Sequence, residues 1–279
     1  MTADTAKPEA PSVAALKKTL LYERSTDISS LVGDLREFSR FDKVVESRQK
    51  FWVILTIIVL IASITCLAMN LSYAAALGFA ALFFSVYKAT SWARFNLANE
   101  RYLLAEQLLE LFGRDLDESV PVSLRLHFDK VIKKENVIKA DGLRTRYKHN
   151  WLTLSGRLID GSKFSCRVAE MVHVKRRKGK VKAKGYALSL SLSFSRKRWG
   201  ELKCTNERSG SLIKLPAQTY LKSCKIRGNV LHMNAKLEAQ FGKKAPQLAE
   251  ILSQGITMLL LSGYEILHSG QSRSESSAS

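Results

Sequence analysis

The sequence predicts a membrane α+β protein. A two-helix transmembrane hairpin is extended as a cytoplasmic antiparallel helical stalk, and a basic antiparallel β-sheet domain closed by a C-terminal helix follows. Three observations predict this. Residues 51–87 contain no Asp, Glu, Lys, Arg or His. Apolar residues recur at helical spacing on both sides of that window. Further on, alternating apolar and polar residues are punctuated by Asp-Gly and Gly-Asn, dipeptides that turn β-hairpins.

A single helix over 51–87 would measure ~55 Å, against a hydrocarbon core of ~30 Å. The window therefore divides at its most polar residue, Asn70, into spans 51–69 and 71–93. Trp52, Tyr87 and Trp92 suit the headgroup level, where Lys88 can snorkel. Lys43, Arg48 and Lys50 precede the first span, Lys88, Arg94 and Arg101 follow the second, and the turn is uncharged. The positive-inside rule then places both termini in the cytoplasm. The apolar stretch begins too late and runs too long for a signal peptide. The spans lack the ionisable groups that usually move ions or protons. In the second span Ser72, Ala76 and Ala80 form one four-residue row, and Ala74 with Gly78 another. Such rows let helix backbones approach, within the hairpin or between protomers.

The helices are expected to continue beyond the spans. Ile28, Leu31, Leu35, Phe38 and Val45 recur at helical spacing behind Asp27, an N-cap residue. Ala98, Arg101, Ala105, Leu108 and Phe112 form a row ending at Gly113, a stop signal. Arms 28–69 and 71–112 each contain 42 residues, which suits an antiparallel pair zipped along residues 28–113. The part outside the membrane would measure ~35 Å per arm. Residues 1–27 are expected to hold a disordered start and a short helix over about 12–23.

The β-domain occupies 114–269. Strands are expected over 122–128, 151–159, 162–175 and 186–194, with Asp160-Gly161 as a two-residue turn and the last three strands forming a meander. A second hairpin turns at Gly228-Asn229, between 221–226 and 231–237. A helix over 246–267 closes the domain, and 270–279 is a loose Ser-rich tail.

Charge supplies the functional hint. The chain has 44 Lys+Arg against 25 Asp+Glu, net +19. Residues 121–200 alone hold 21 basic and 5 acidic side chains. Lys175, Arg176, Arg177, Lys178, Lys180, Lys182 and Lys184 crowd one strand connection, and the meander brings Arg144, Arg146 and Lys148 to the same tip. Like charges so concentrated repel unless a partner neutralises them. An acidic protein surface ranks first. Anionic lipid would add about 1 kcal/mol per base, but a ~35 Å stalk exceeds a Debye length of ~8 Å. Nucleic acid ranks lower because no recognisable module accompanies the charge.

Enzyme chemistry has no visible constellation. Cys66, Cys166, Cys204 and Cys224 are scattered, the five histidines show no ligand spacing, and neither a phosphate-binding glycine loop nor a GxSxG elbow occurs. No metal or cofactor is expected. The sequence thus predicts a non-enzymatic interaction or scaffold protein, anchored in the lipid bilayer, whose basic β-domain docks an acidic partner. The alternative is a subunit of a homo-oligomeric channel or transport complex. A reduced setting and a short hairpin fit a bacterial inner (plasma) membrane.

Overall fold

The computed structural model describes residues 16, 19–142, 144–175, 181–195, 199, 213, 215–238 and 245–276, with the side chains of 182–184 and 270–276 left aside. Two compact units result, one from 1–35 with 100–279, the other Arg36–Asn99. The described residues form four α-helices, α1 (Ile28–Ala68), α2 (Ser72–Ala93), α3 (Asn99–Phe112) and α4 (Ala245–Ser276). They also form eight strands, β1 (Leu21–Thr26), β2 (Val122–His127), β3 (Val137–Asp141), β4 (Arg144–Arg157), β5 (Lys163–Lys175), β6 (Val181–Ser193), β7 (Thr219–Arg227) and β8 (Val230–Glu238).

The first unit is built on one antiparallel sheet in the order β1-β2-β4-β5-β6-β8-β7, with β3 pairing the first part of β4. Period-two alternation sorts the side chains. Leu124, Leu126, Leu154, Cys166, Val168, Leu188, Leu190, Leu192, Leu231 and Met233 turn inward and are buried. The expected meander is β4-β5-β6. Gly228 and Asn229 form a two-residue turn between Arg227 and its partner Val230, with Gly228 at φ +62°. The Asp160-Gly161 turn is longer than expected. Gly161 N–H donates to Leu158 O (2.8 Å) and Leu158 N–H to Ser162 O (2.8 Å), so the loop is Ile159–Gly161, with Gly161 at φ +86°. This is the three-residue loop that a left-handed third residue allows. Asp160 caps it by accepting from Ser162 N–H (2.9 Å), and Tyr264 Oη donates to the same carboxylate (3.0 Å).

Helices cover the inner face of the sheet. α4 lays Leu252, Ile256 and Leu259 against it and approaches closely where it carries glycine. A Cβ on Gly255 would come within 2.7 Å of Leu188 Cδ1, and one on Gly263 within 2.9 Å of Met233 Cε. Close approach explains glycines that cost about 1 kcal/mol each in a helix. α3 buries Leu104, Leu108, Leu109 and Phe112, the last edge-on to Phe164 at 5.5 Å. The first two turns of α1 bury Leu31 and Leu35. Asp34 there accepts from Tyr22 Oη (2.7 Å) and pairs with Arg24 (2.6 Å). Asp27 caps α1 as expected, accepting from Ser30 N–H at 2.9 Å.

The second unit is an apolar helix pair. It turns at Asn70, φ +57°, where the sequence places the break. Both helices are long and apolar enough to cross a membrane. Their contact runs along Ala75, Gly78, Leu82 and Ser85 of α2. Thr56 Oγ1 donates to Ser85 Oγ (3.0 Å), Gly78 lies on Ser63, Trp52 meets Phe84 edge-on, and Arg48 stacks over Trp92 (4.9 Å). Ile54, Ile57, Ile61, Leu77 and Phe83 point outward, each more than half exposed.

The structure departs from the sequence reading in three further places. The second arm is not one helix to Phe112, because α2 ends at Ala93 and α3 starts at Asn99. Side chains from α1 take over the hydrogen bonds at the break. Asp42, 1% exposed, accepts from Leu97 N–H (2.9 Å), and Asn96 and Asn99 bond Gln49 and Glu46. Released from the arm, α3 covers the sheet rather than zipping a stalk. Of the helix expected over 12–23, Leu16 and Thr19 are helical and 12–15, 17 and 18 lie outside the described residues, but β1 starts at Leu21, where Tyr22 fills an inward position opposite Leu126. α4 runs on to Ser276 where a loose tail was expected from 270.

Candidate anion-binding face

The described α-helices of the first unit lie on the inner face of the sheet. The outward positions of β4 to β8 therefore form a polar face. Strand register arranges it in rows. At one end Arg144 faces Lys175, Arg146 faces His173 and Lys148 faces Met171. Next comes the row Asn150, Ala169, Ala187, Lys236 and Tyr220, then Thr153, Arg167, Ser189, Asn234 and Ser223, then Ser155, Ser165, Ser191, His232 and Lys225. The far row holds Arg157, Lys163, Ser193, Val230 and Arg227.

The structure thus brings four of the sequence-derived tip residues together. Arg144, Arg146, Lys148 and Lys175 are all exposed on this face at one end of β4 and β5. Arg176, Arg177, Lys178 and Lys180 lie outside the described residues. Lys182 and Lys184 belong to β6 by backbone only. Of the small residues in α2, Gly78 contacts Ser63, whereas Ser72, Ala74, Ala76 and Ala80 are exposed.

The sequence reading missed the middle of the face. Two open depressions adjoin there, about 310 and 290 Å3, sharing Ser191, His232 and Asn234. The first reaches Lys148, Asn150 and Arg167, and the second Lys225 and Arg227. No carboxylate lines either one. Ser191 Oγ lies 3.0 Å from His232 Nδ1, and Asn234 Nδ2 donates to Ser223 Oγ (3.0 Å). Guanidinium, ammonium, amide and hydroxyl donors without a competing acid suit an anionic ligand. The signal was present in the sequence as the serines alternating with Leu188, Leu190 and Leu192.

Behind this face, at the inner end of β4, sits a buried charged cluster. Arg101 Nη2 lies 3.3 Å from Glu170 Oε2, and Nη1 donates to His127 O (2.6 Å) and Asp129 O (2.8 Å). Its guanidinium also lies 5.6 Å from the Trp151 ring centre. His149, opposite Glu170, donates from Nδ1 to Asn136 Oδ1 (3.3 Å), because the Asn136 amide already donates to Val131 O. Burial, then the Arg101 cation, then His127, push the His149 imidazole down to about 4. His127 is lowered in the same way, chiefly by burial.

A pH dependence follows. In the unfolded chain His149 takes a proton below ~6.5, but in the folded chain only near pH 4. The unfolded state therefore binds more protons across that window. Stability is full above ~6.5 and is lost as pH falls toward 4, by up to ~3 kcal/mol from this residue. The urea midpoint of the full chain should fall between pH 6.5 and 4.5, and His149→Gln should flatten the slope. An equally steep slope in that variant would assign the effect elsewhere.

Among the described residues no three His, Cys, Asp or Glu side chains group as a metal site. Cys166 and Cys224 are buried, and burial pushes the Cys166 thiol up to about 12. The chain matches no protein-family model, no curated protein and no solved structure.

Proposed function

We propose that this chain is a membrane-anchored, non-enzymatic interaction or scaffold protein. Its helix pair holds it in the bilayer, and its basic β-domain docks an acidic protein partner on the cytoplasmic side. The observation that carries this is the open polar face of the sheet, where Arg144, Arg146, Lys148, Arg167 and Lys175 are exposed and the two depressions are lined without acid. Like charges held together on a rigid sheet favour an acidic occupant and speed its arrival.

The anchor rests on burial. A core helix of a soluble protein hides its apolar window, yet only 6% of that window in α1 and 11% in α2 is buried. So large an exposed apolar surface requires lipid or another protein. Lysine and arginine flank both outer ends of the pair and are absent from its turn, which orients both termini toward the cytoplasm.

The test is the composition of the particle gently solubilised from its native membrane. We expect a second, acidic chain that leaves at raised salt. Charge reversal at Arg176, Arg177 and Lys178 should reduce its amount. An unchanged complex in that variant would reduce the tip to a solvated turn. One observation favours the channel or transport reading, namely that Ser72, Ala76 and Ala80 face away from α1 and are free for contact between hairpins. A homo-oligomer of fixed number, without a second chain, would select it.

A further inference from the structure

We infer that the acidic partner is held as an extended polypeptide segment lying along β6, in a groove of the open sheet face. This inference rests on the docking reading and adds to it a site, a conformation and a ligand chemistry. The floor of the groove is the outward side of β6, Gly185, Ala187, Ser189, Ser191 and Ser193. Central strands ordinarily carry β-branched or aromatic residues, and small ones give up packing and propensity. Five in succession lower the floor below its neighbours, which is why the depressions lie there.

The walls carry basic groups on both sides, and toward the Gly185 end the β5 wall turns apolar at Ala169 and Met171. On the β5 side stand Lys163, Ser165 and Arg167. On the β8 side stand His232, Asn234 and Lys236, the last paired with Glu238 at 3.2 Å where the groove ends beside Gly185. The walls are two strand spacings apart, about 10 Å, and the floor runs for about 27 Å. One extended chain fits that width, whereas an α-helix with its side chains measures about 10–12 Å. An extended segment presents alternate side chains every ~6.8 Å, the interval at which Lys236, Asn234 and His232 succeed one another on β8. Acids at alternate positions would meet that wall, and those of opposite parity would meet Arg167 and Lys163. Single-stranded nucleic acid fits less well, because its bases require aromatic platforms. None of these wall residues is a Phe, Tyr or Trp, and Tyr220 on β7 hydrogen-bonds Glu238.

The test uses the full chain in nanodiscs of neutral lipid at low salt. The probe is a fluorescein-labelled ten-residue glutamate peptide, which presents acids to both walls, read by anisotropy. Ser191→Trp fills the floor without changing charge, Arg167→Glu reverses a wall, and a triple Glu substitution of Arg176, Arg177 and Lys178 reverses the tip. We expect each groove variant to weaken binding ~10-fold or more, and the tip variant by only about 2-fold. If the tip variant loses binding while both groove variants bind like the parent, the groove assignment falls and the docking reading stands. If the parent chain does not bind the peptide, both fall. Tighter binding of an oligouridylate of equal charge would overturn the polypeptide assignment. Should Ser191→Trp fail to fold, Arg167→Glu, at an exposed position, decides alone.

Discussion

Arg101→Leu should destabilise the β-domain by about 3–5 kcal/mol, among the largest effects of any single substitution in it. Arg101 is 4% exposed and Glu170 6%, so neither charge has water to fall back on. The guanidinium neutralises Glu170 at 3.3 Å and satisfies the carbonyls of His127 and Asp129, at the end of β2 where α3 crosses it. Removing it deprives a buried carboxylate of this cation and both carbonyls of this donor, and leucine supplies only apolar contact in return. The urea midpoint of the full chain, followed by circular dichroism in the β-sheet region, measures the loss. The double variant Arg101→Met with Glu170→Met is the control. Replacing both charges by apolar groups of similar size costs far less than removing one, so the double variant should be more stable than Arg101→Leu. If the two variants unfold together, the ion pair is not what holds α3 to the sheet.

The same pair shows how far the sequence could be read. The meander was legible because Leu188, Leu190, Leu192 and Phe194 alternate without error, and a half-buried strand is what turns every second side chain inward. α3 was legible as a helix but not in its placement. The row Ala98, Arg101, Ala105, Leu108 and Phe112 fits a helix seam and a helix lying on a sheet equally well. What distinguishes them is the arginine within an apolar row and an acid, Glu170, at an inward position of β5. Each breaks its own pattern, and together they name a buried contact between the two elements. β1 and β3 were hidden for different reasons. β1 presents one large inward residue, Tyr22, beside a helix start, and all five residues of β3 are exposed. The basic tip was visible as composition. Its extension across the sheet was not, because Arg167, Lys225 and His232 become neighbours only through the β6-β8 pairing.

Ile57→Arg with Ile61→Arg should abolish stable membrane integration. Both positions lie near the middle of the first apolar span and point away from α2, at 52% and 61% exposure. If those faces meet hydrocarbon, each arginine costs roughly 2.5–3.5 kcal/mol at the bilayer centre, and each isoleucine lost gives up about 0.3–0.6 kcal/mol. The sum, about 6–8 kcal/mol, is of the order of a domain's whole stability. Snorkelling offers little relief, since both residues stand too far from either end of the span for the guanidinium to reach the headgroups. The measurement is retention in the membrane pellet after alkaline carbonate. The parent chain should stay, and the double variant should be extracted or degraded. Ser63→Val separates this from general damage to the pair. Ser63 is 1% exposed and faces Gly78, so its change alters the seam and leaves the lipid-facing surface intact. That variant should remain in the pellet even if the two helices pack less closely. Extraction of the parent chain itself would mean that the outward isoleucines cover another protein rather than lipid, and the anchor would have to be redrawn as an interface.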